Sequence, residues 1–395
     1  MREQHSTISF GWTLGSFYAF YFAILGAVIP YMALYFESIG FTPSQIGILM
    51  STLLITKVIA PNFWGLILDK QSLKHPSLQA KTLTIALSIC CLMFLWLNFT
   101  EHFWLIAALM FAYSFFWNAV LPQMETVVYN FLGEKRHRYG KIRVWGSIGF
   151  ILSVTCLGWL IDNYGINVLL PFITVIFAAL ALHGIFIGRA AAPSSLLASS
   201  GSNASKFQHL MSPTIIMVLV LGAIGQMTHA PFYTFFSIYL ESYGYSKTLI
   251  GWLWALGVIS EVAVFLFAHH LLAKFNIFKL LLVCFAVTSI RWWMLSKFPD
   301  SLILLILTQT LHAISFGLYH STSSQLINAQ FKGQYQVRGQ ALYSSITFGV
   351  GGSIGTLASG YLWSAYDGQT VFMLCAILMG IATAIGVIFA TFLRA

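Results

Sequence analysis

Long apolar runs separated by short polar joints make up nearly the whole chain. Their approximate limits are 10–36, 46–68, 80–98, 103–129, 143–162, 167–187, 213–240, 248–270, 278–296, 301–325, 340–363 and 370–392. Each is roughly 20 residues or longer, the length an α-helix needs to cross the hydrocarbon core of a bilayer at about 1.5 Å per residue. The pattern predicts an all-α membrane protein with twelve transmembrane helices. One long polar stretch, GRAAAPSSLLASSGSNASKFQHLMS at 188–212, is rich in Ser, Ala and Gly and lacks strong periodicity, so it reads as a linker. It divides the chain into a six-helix bundle at 1–187 and another at 213–395.

The two halves resemble each other. YFESIGFTPSQIG at 35–47 returns as YLESYGYSKTLIG at 239–251, keeping Tyr35/Tyr239, Gly40/Gly244 and Gly47/Gly251. WGSIGF at 145–150 is similar to YSSITF at 343–348, and GWLIDNYG at 158–165 to GYLWSAYDG at 360–368. The offset between copies drifts from 204 to 198 and 202, a drift that loop insertions would explain. Such parallel repeats, related by an axis along the membrane normal, mark two pseudo-symmetric bundles.

Composition sharpens this picture. The chain of 395 residues is 58% hydrophobic and 8% charged, with a mean hydropathy of +0.81, too few charges to clothe a soluble domain of this length. The net charge of +9 does not imply nucleic acid. With a cytoplasmic N-terminus, about 16 of the 20 basic residues fall on the inner side, the bias that sets topology. Both termini are then cytoplasmic, and no small-residue cleavage site marks a removable signal peptide. The five cysteines sit inside apolar runs without ligand spacing and read as packed thiols, with no metal site.

Ionisable residues inside the runs carry the chemistry. A charge at the bilayer centre costs about 2.5–3.5 kcal/mol, so such residues face a cavity or one another. Lys57 and Glu261 stand at matching places in the repeat, near the midplane; Arg291 lies in the ninth run. A carboxyl whose proton affinity changes as a cation approaches or withdraws is the minimal device for proton coupling, which assigns that role to Glu261, tuned by Arg291 and His312. In the tenth run 312, 315 and 319 share a helical face, with His320 about 80° away. Gln226, Thr228 and His229 lie beside Pro231, where a broken helix would open backbone groups to a ligand. Glu125 sits near the end of the fourth run and Arg143 at the start of the fifth; His183, alone on its apolar helix, reads as packing.

The organisation resembles the major facilitator superfamily. GLILDK at 65–70 looks like that family's cytoplasmic gating motif, which implies gating roles for Gly65, Asp69 and Lys70; the second-half counterpart AHHLLAK at 268–274 lacks the acidic residue. Glu125 and Arg143, 18 residues apart and followed by an aromatic-Gly-x-x-Gly segment, resemble the sugar-binding pair of lactose-permease-type symporters. Glu261, Arg291 and His312 resemble that group's coupling residues, with Ser315 where the group has its proton-carrying glutamate. YGKIRVWGS, ESYGYSKTLIGWLWALGVISEV, the Ile-Arg-Trp of the ninth run and paired His312 and His320 match the 3-phenylpropionate permease group more closely, which also has a basic residue at the place of Lys57. The fifth run lacks the Gly-x-x-x-Gly-Pro-x-x-Gly-Gly motif of antiporter-type exporters.

The resemblance implies a secondary transporter rather than an enzyme. The expected function is proton symport of a small organic solute, an aromatic carboxylate, into a bacterium across its inner membrane. The implied driving force is the proton gradient, with no cofactor, and the implied state is a monomer. Lys57, Glu125, Arg143, Trp145, His229 and His320 are the expected substrate-binding residues. The alternative ligand is a neutral sugar, oligosaccharide or nucleoside; drug efflux and a non-transporting sensor rank below both.

Overall fold

The computed structural model describes residues 2–72, 77–190 and 211–392, all of whose regular structure is helical. The helices are α1 (Arg2–Ser38), α2 (Pro43–Ser72), α3 (Ser77–Leu97), α4 (Phe103–Leu132), α5 (Tyr139–Tyr164), α6 (Leu169–Ala190), α7 (Pro213–Ser242), α8 (Lys247–Lys274), α9 (Ile277–Lys297), α10 (Leu302–Gln330), α11 (336–365) and α12 (Gly368–Phe392). They correspond one by one to the twelve apolar runs. Among the described residues ten are long and apolar enough to span a membrane. The other two are α3, whose apolar stretch Lys81–Leu97 is short, and α11, which is rich in Gly, Ser and Thr. Most of the linker at 188–212, from 191 to 210, lies outside the described residues.

The helices group into two compact units. The first holds α1, α2 from Ile55 onward, α3–α6 and the first turn of α8, Ser246–Gly251. The second holds Phe41–Leu54, α7, α8 from Trp252 onward and α9–α12. In the first, α1 packs along α5 and α6, and α3 along α4 and α6. In the second, α7 packs on α11 and α12, and α9 on α10 and α12, around a core that includes Leu281, Phe285, Tyr319, Tyr343 and Met379.

Lipid tails are as apolar as Leu, so membrane helices associate through close packing at small residues. Two such seams are built alike. A Cβ on Gly149 of α5 would collide with the Ala19 carbonyl of α1; one on Gly351 of α11 would lie 2.6 Å from the Ala223 carbonyl oxygen of α7. Ala19 and Ala223 are 204 residues apart, and Gly149 and Gly351 are 202 apart. Ser153 bonds the Ala23 carbonyl at 2.7 Å, and Gly355, also 202 further on, abuts Met227. The structural partner of WGSIGF is therefore TFGVGG at 347–352, four residues beyond the YSSITF that its letters match. The drift to 198 disappears, and with it the need for loop insertions there.

Other repeat positions gain physical reasons. Gly40 and Gly244 close the turns after α1 and α7 at φ of 89° and 82°, a left-handed conformation that a side chain disfavours. Helices α10 and α11 each contain a π turn, at Ala313–Leu318 and Ser345–Gly351. By contrast α7 runs unbroken through Pro231.

Candidate functional site

The polar centre of the second unit lies on α7–α10. Glu261, midway along α8, pairs with His312 of α10, Oε1 to Nε2, at 2.7 Å, and both side chains are largely buried. An ionised Glu261 takes the Nε2 hydrogen and leaves Nδ1 of His312 as an acceptor. Arg291 of α9 is fully buried and makes no ion pair among the described residues. Its Nε donates to the Thr308 carbonyl at 2.8 Å and its Nη1 to the Ser315 hydroxyl at 3.2 Å. The guanidinium lies 4.3 Å from the Phe232 ring centre and 4.5 Å from that of Trp292, both favourable cation–π distances. Glu261 is within electrostatic reach of it. Ser315, standing where the resemblance places a glutamate, thus serves the arginine as a neutral acceptor.

His229 of α7 bonds the Gly225 carbonyl at 2.7 Å through Nδ1, and its ring meets Trp292 edge-on. Nε2 of His229, Nδ1 of His312 and Nη2 of Arg291 are buried without a hydrogen-bond partner among the described residues. On α10 the rings of His312, Phe316 and His320 stack in a row, with centroids 5.4 and 6.4 Å apart and planes within 12° of parallel. His320 continues to the Tyr343 hydroxyl at 3.3 Å. A regular 3.6-residue period separates His320 from His312 by about 80°; the π turn, closed i→i+5, lengthens the period and brings residues four apart nearer to eclipse. Tyr319, expected beside His312, instead donates to the Gly222 carbonyl at 3.2 Å.

The first unit gathers a different set. The guanidinium of Arg143 sits 3.9 Å from the Phe22 ring centre and 5.6 Å from that of Tyr18. Glu125 accepts a hydrogen bond from the Tyr139 hydroxyl at 3.1 Å and is within electrostatic reach of Arg143 without forming an ion pair. Tyr21 and Trp117 stack at 4.0 Å with planes 4° apart, extending this surface with rings from α1 and α4. Trp145 packs on Trp12 at 5.3 Å and over Gly15. Lys57 is on an exposed part of α2, next to Thr56, whose hydroxyl accepts from Asn118 at 2.9 Å. Gly65, Asp69 and Lys70 fall in the last turns of α2, and their side-chain surroundings lie outside the described residues. His183 is held by the Thr13 carbonyl at 2.8 Å and the Ser16 hydroxyl at 3.0 Å, a packing role.

Sequence reasoning brought Glu261, Arg291 and His312 together and missed the rings around them. Phe316 was detectable as the aromatic residue four from each histidine. Tyr139 opens the same YGKIRVWGS motif that supplies Arg143. Tyr18, Phe22 and Phe232 had no signal beyond the general abundance of aromatics.

Comparison with known proteins agrees with this architecture. The probable 3-phenylpropionic acid transporter of Escherichia coli (strain K12) is 27% identical over 367 residues, covering 91% of this chain and 93% of that protein. The maltose permease of Geobacillus stearothermophilus is 26% identical over 381 residues, covering 94% and 91%. The crystal structure of the nucleoside transporter NupG superposes with a TM-score of 0.79 at 20% identity over 95% of this chain and 98% of that one, a likeness of fold. The model of the MFS_1 like family matches residues 11–374. The chain belongs to that family and is a multi-pass membrane transporter of the major facilitator type, not an enzyme.

Proposed function

We propose that the protein is a proton-coupled symporter that imports a small aromatic carboxylate by alternating access. The observation that carries this reading is the buried Glu261–His312 pair with the fully buried Arg291 in electrostatic reach of the carboxylate. Glu261 stands about 21 Å from the start of α8, near the middle of the membrane. Ionisable groups buried at membrane depth are costly and are functional candidates by default. The arrangement suits a group that exchanges a proton while the nearby cation stays fixed. Its titration belongs to the Glu261–His312 pair rather than to either residue.

The aromatic preference has separate support. Arg143 lies over Phe22 and near Tyr18, where a flat ring extends the stack and a carboxylate meets a guanidinium. A relative bears the name of a phenylpropionic acid transporter. In this reading Lys57 attracts the carboxylate, Glu125, Trp145, His229 and His320 line the path, and Gly65, Asp69 and Lys70 gate it. The protein acts as a monomer in a bacterial inner membrane with both termini cytoplasmic, and the proton gradient drives it without a cofactor. A second reading, import of a neutral sugar or nucleoside, draws on the Glu125–Tyr139 hydrogen bond and the maltose permease relative.

Proteoliposome uptake of labelled 3-phenylpropionate, maltose and uridine, with and without an inward proton gradient, decides among them. Gradient-dependent accumulation of the carboxylate alone is expected. Accumulation indifferent to the gradient would sink the symport, and preference for maltose or uridine would transfer the site to the second reading.

A further inference from the structure

The first unit leaves open a place that the second fills. The repeat offset is 202 between α5 and α11 and 204 between α1 and α7. Gly146 therefore stands where Phe348 does, Tyr18 where Gly222 does and Phe22 where Gln226 does. In the second unit the bulk comes from α11. The Phe348 ring packs against His320 at 5.6 Å and Tyr343 at 5.8 Å, and a Cβ on Gly222 of α7 would lie 2.8 Å from the Thr347 Oγ1. In the first unit the exchange runs the other way: the rings of Tyr18 and Phe22 come from α1, and α5 offers the bare backbone of Gly146.

Arg143, one turn earlier on α5, uses that space. A Cβ on Gly146 would lie 2.7 Å from the Arg143 Nη1 and 2.7 Å from the Phe22 Cδ2. Held over the Phe22 ring at 3.9 Å, the guanidinium forms no ion pair with Glu125, although that carboxylate is within its electrostatic reach. A guanidinium kept out of an internal ion pair retains its fork of N–H donors for a carboxylate that a solute brings. The added Cβ would meet the far end of a flexible side chain, which can swing away. Beneath Gly149 it would meet the Ala19 backbone, which cannot. Filling position 146 therefore moves Arg143, and Glu125 is the carboxylate within reach to receive it.

We propose that Gly146 is a specificity-determining residue: by leaving room for Arg143 on Phe22 it keeps the guanidinium from pairing with Glu125 and reserves it for an anionic solute. A larger residue there turns the site toward neutral solutes. The proposal rests on the reading of Arg143 as the group that meets the solute carboxylate.

The test uses the full-length protein in proteoliposomes and nanodiscs. Competition against labelled 3-phenylpropionate uptake by the unlabelled acid and by its amide reads the preference for an anion. In Gly146→Ala that preference is expected to fall roughly tenfold, the loss of one charge-assisted hydrogen bond, with Vmax little changed. In an Arg143→Leu background, adding Gly146→Ala should alter the preference by less than about twofold, because the group it acts through is gone. Labelling of Arg143 with phenylglyoxal needs no solute. Paired with Glu125 in Gly146→Ala, the guanidinium should react roughly threefold more slowly relative to the exposed Arg338, and the rate should recover on adding Glu125→Gln. An unchanged preference in Gly146→Ala, an equal loss in the Arg143→Leu background, or labelling that is unchanged or faster would each overturn the proposal. So would a Gly146→Ala chain that fails to fold, since the Cβ would then have met something that cannot yield. The labelling arm reads out even if none of the solutes is carried, so failure of the transport reading remains distinguishable.

Discussion

The two units place their ionisable groups differently. In the second, Glu261, His312, Arg291 and His229 are sunk among Phe232, Trp292 and Phe316, and polar atoms of His229, His312, Arg291 and Trp292 have no hydrogen-bond partner among the described residues, in a medium that penalises this. In the first, Glu125 and Arg143 are half-buried, with the rings of Phe22 and Tyr18 against the guanidinium. Duplication gave both units the same seams but not the same chemistry. A buried titratable pair suits a proton, which needs no volume, whereas a half-buried guanidinium against the Phe22 ring suits an organic solute. On the proposed reading, coupling rests on the second unit, while Arg143 of the first contributes most to solute binding.

The largest test of that division is Glu261→Gln. It keeps an acceptor for His312 and removes the titratable group, so gradient-driven accumulation should be abolished while solute exchange at equal concentrations survives. Its stability cost should stay at about 1–3 kcal/mol, the range for an altered buried hydrogen bond. Next comes Arg143→Leu, which should raise KM for the carboxylate at least roughly tenfold, since it removes a charged donor and two cation–π contacts. The dependence of uptake on the gradient should remain. Interchanged phenotypes, with Glu261→Gln affecting KM alone and Arg143→Leu uncoupling transport, would dissolve the comparison.

The smallest effect is expected outside both sites. Asp367 precedes α12, and the Thr370 N–H, which it accepts at 2.7 Å, together with the Thr370 hydroxyl, holds its carboxyl below the usual carboxylate range. Because the folded state favours the ionised form, this contribution is complete above the unfolded pKa of about 3.9 and fades as pH falls through the lower folded value. Asp367→Ala should cost about 1 kcal/mol or less at neutral pH, since the group is solvent-exposed, and the difference from wild type should vanish in strong acid. Thermal unfolding of the two proteins at neutral pH and near pH 3 would show it, with transport unchanged.

The sequence made the spans legible because the bilayer demands long apolar runs, and those runs leave little room for another reading. It made Glu261, Arg291 and His312 legible because charge inside such a run is rare. What it concealed depended on geometry without a one-letter sign. The π turn at Ala313–Leu318 is invisible in composition, yet it aligns His312 with His320 and turns Tyr319 toward Gly222. The true register of the fifth spans was hidden because YSSITF imitates WGSIGF in letters, while Gly351, not a position in that stretch, does the work of Gly149.

The contacts of Gly149 with Ala19 and of Gly351 with Ala223 also bear on how each unit answers force. Where side chains interdigitate, a load is taken up by rotamer changes and the interface creeps. At these two seams backbone rests on backbone, leaving no torsion to yield. Each seam behaves as a hard bearing, passing a push at one end of a helix to the other with little lost on the way. A single added methyl group at either glycine would act as a shim, splaying the helices along their length and detuning groups far from the substitution.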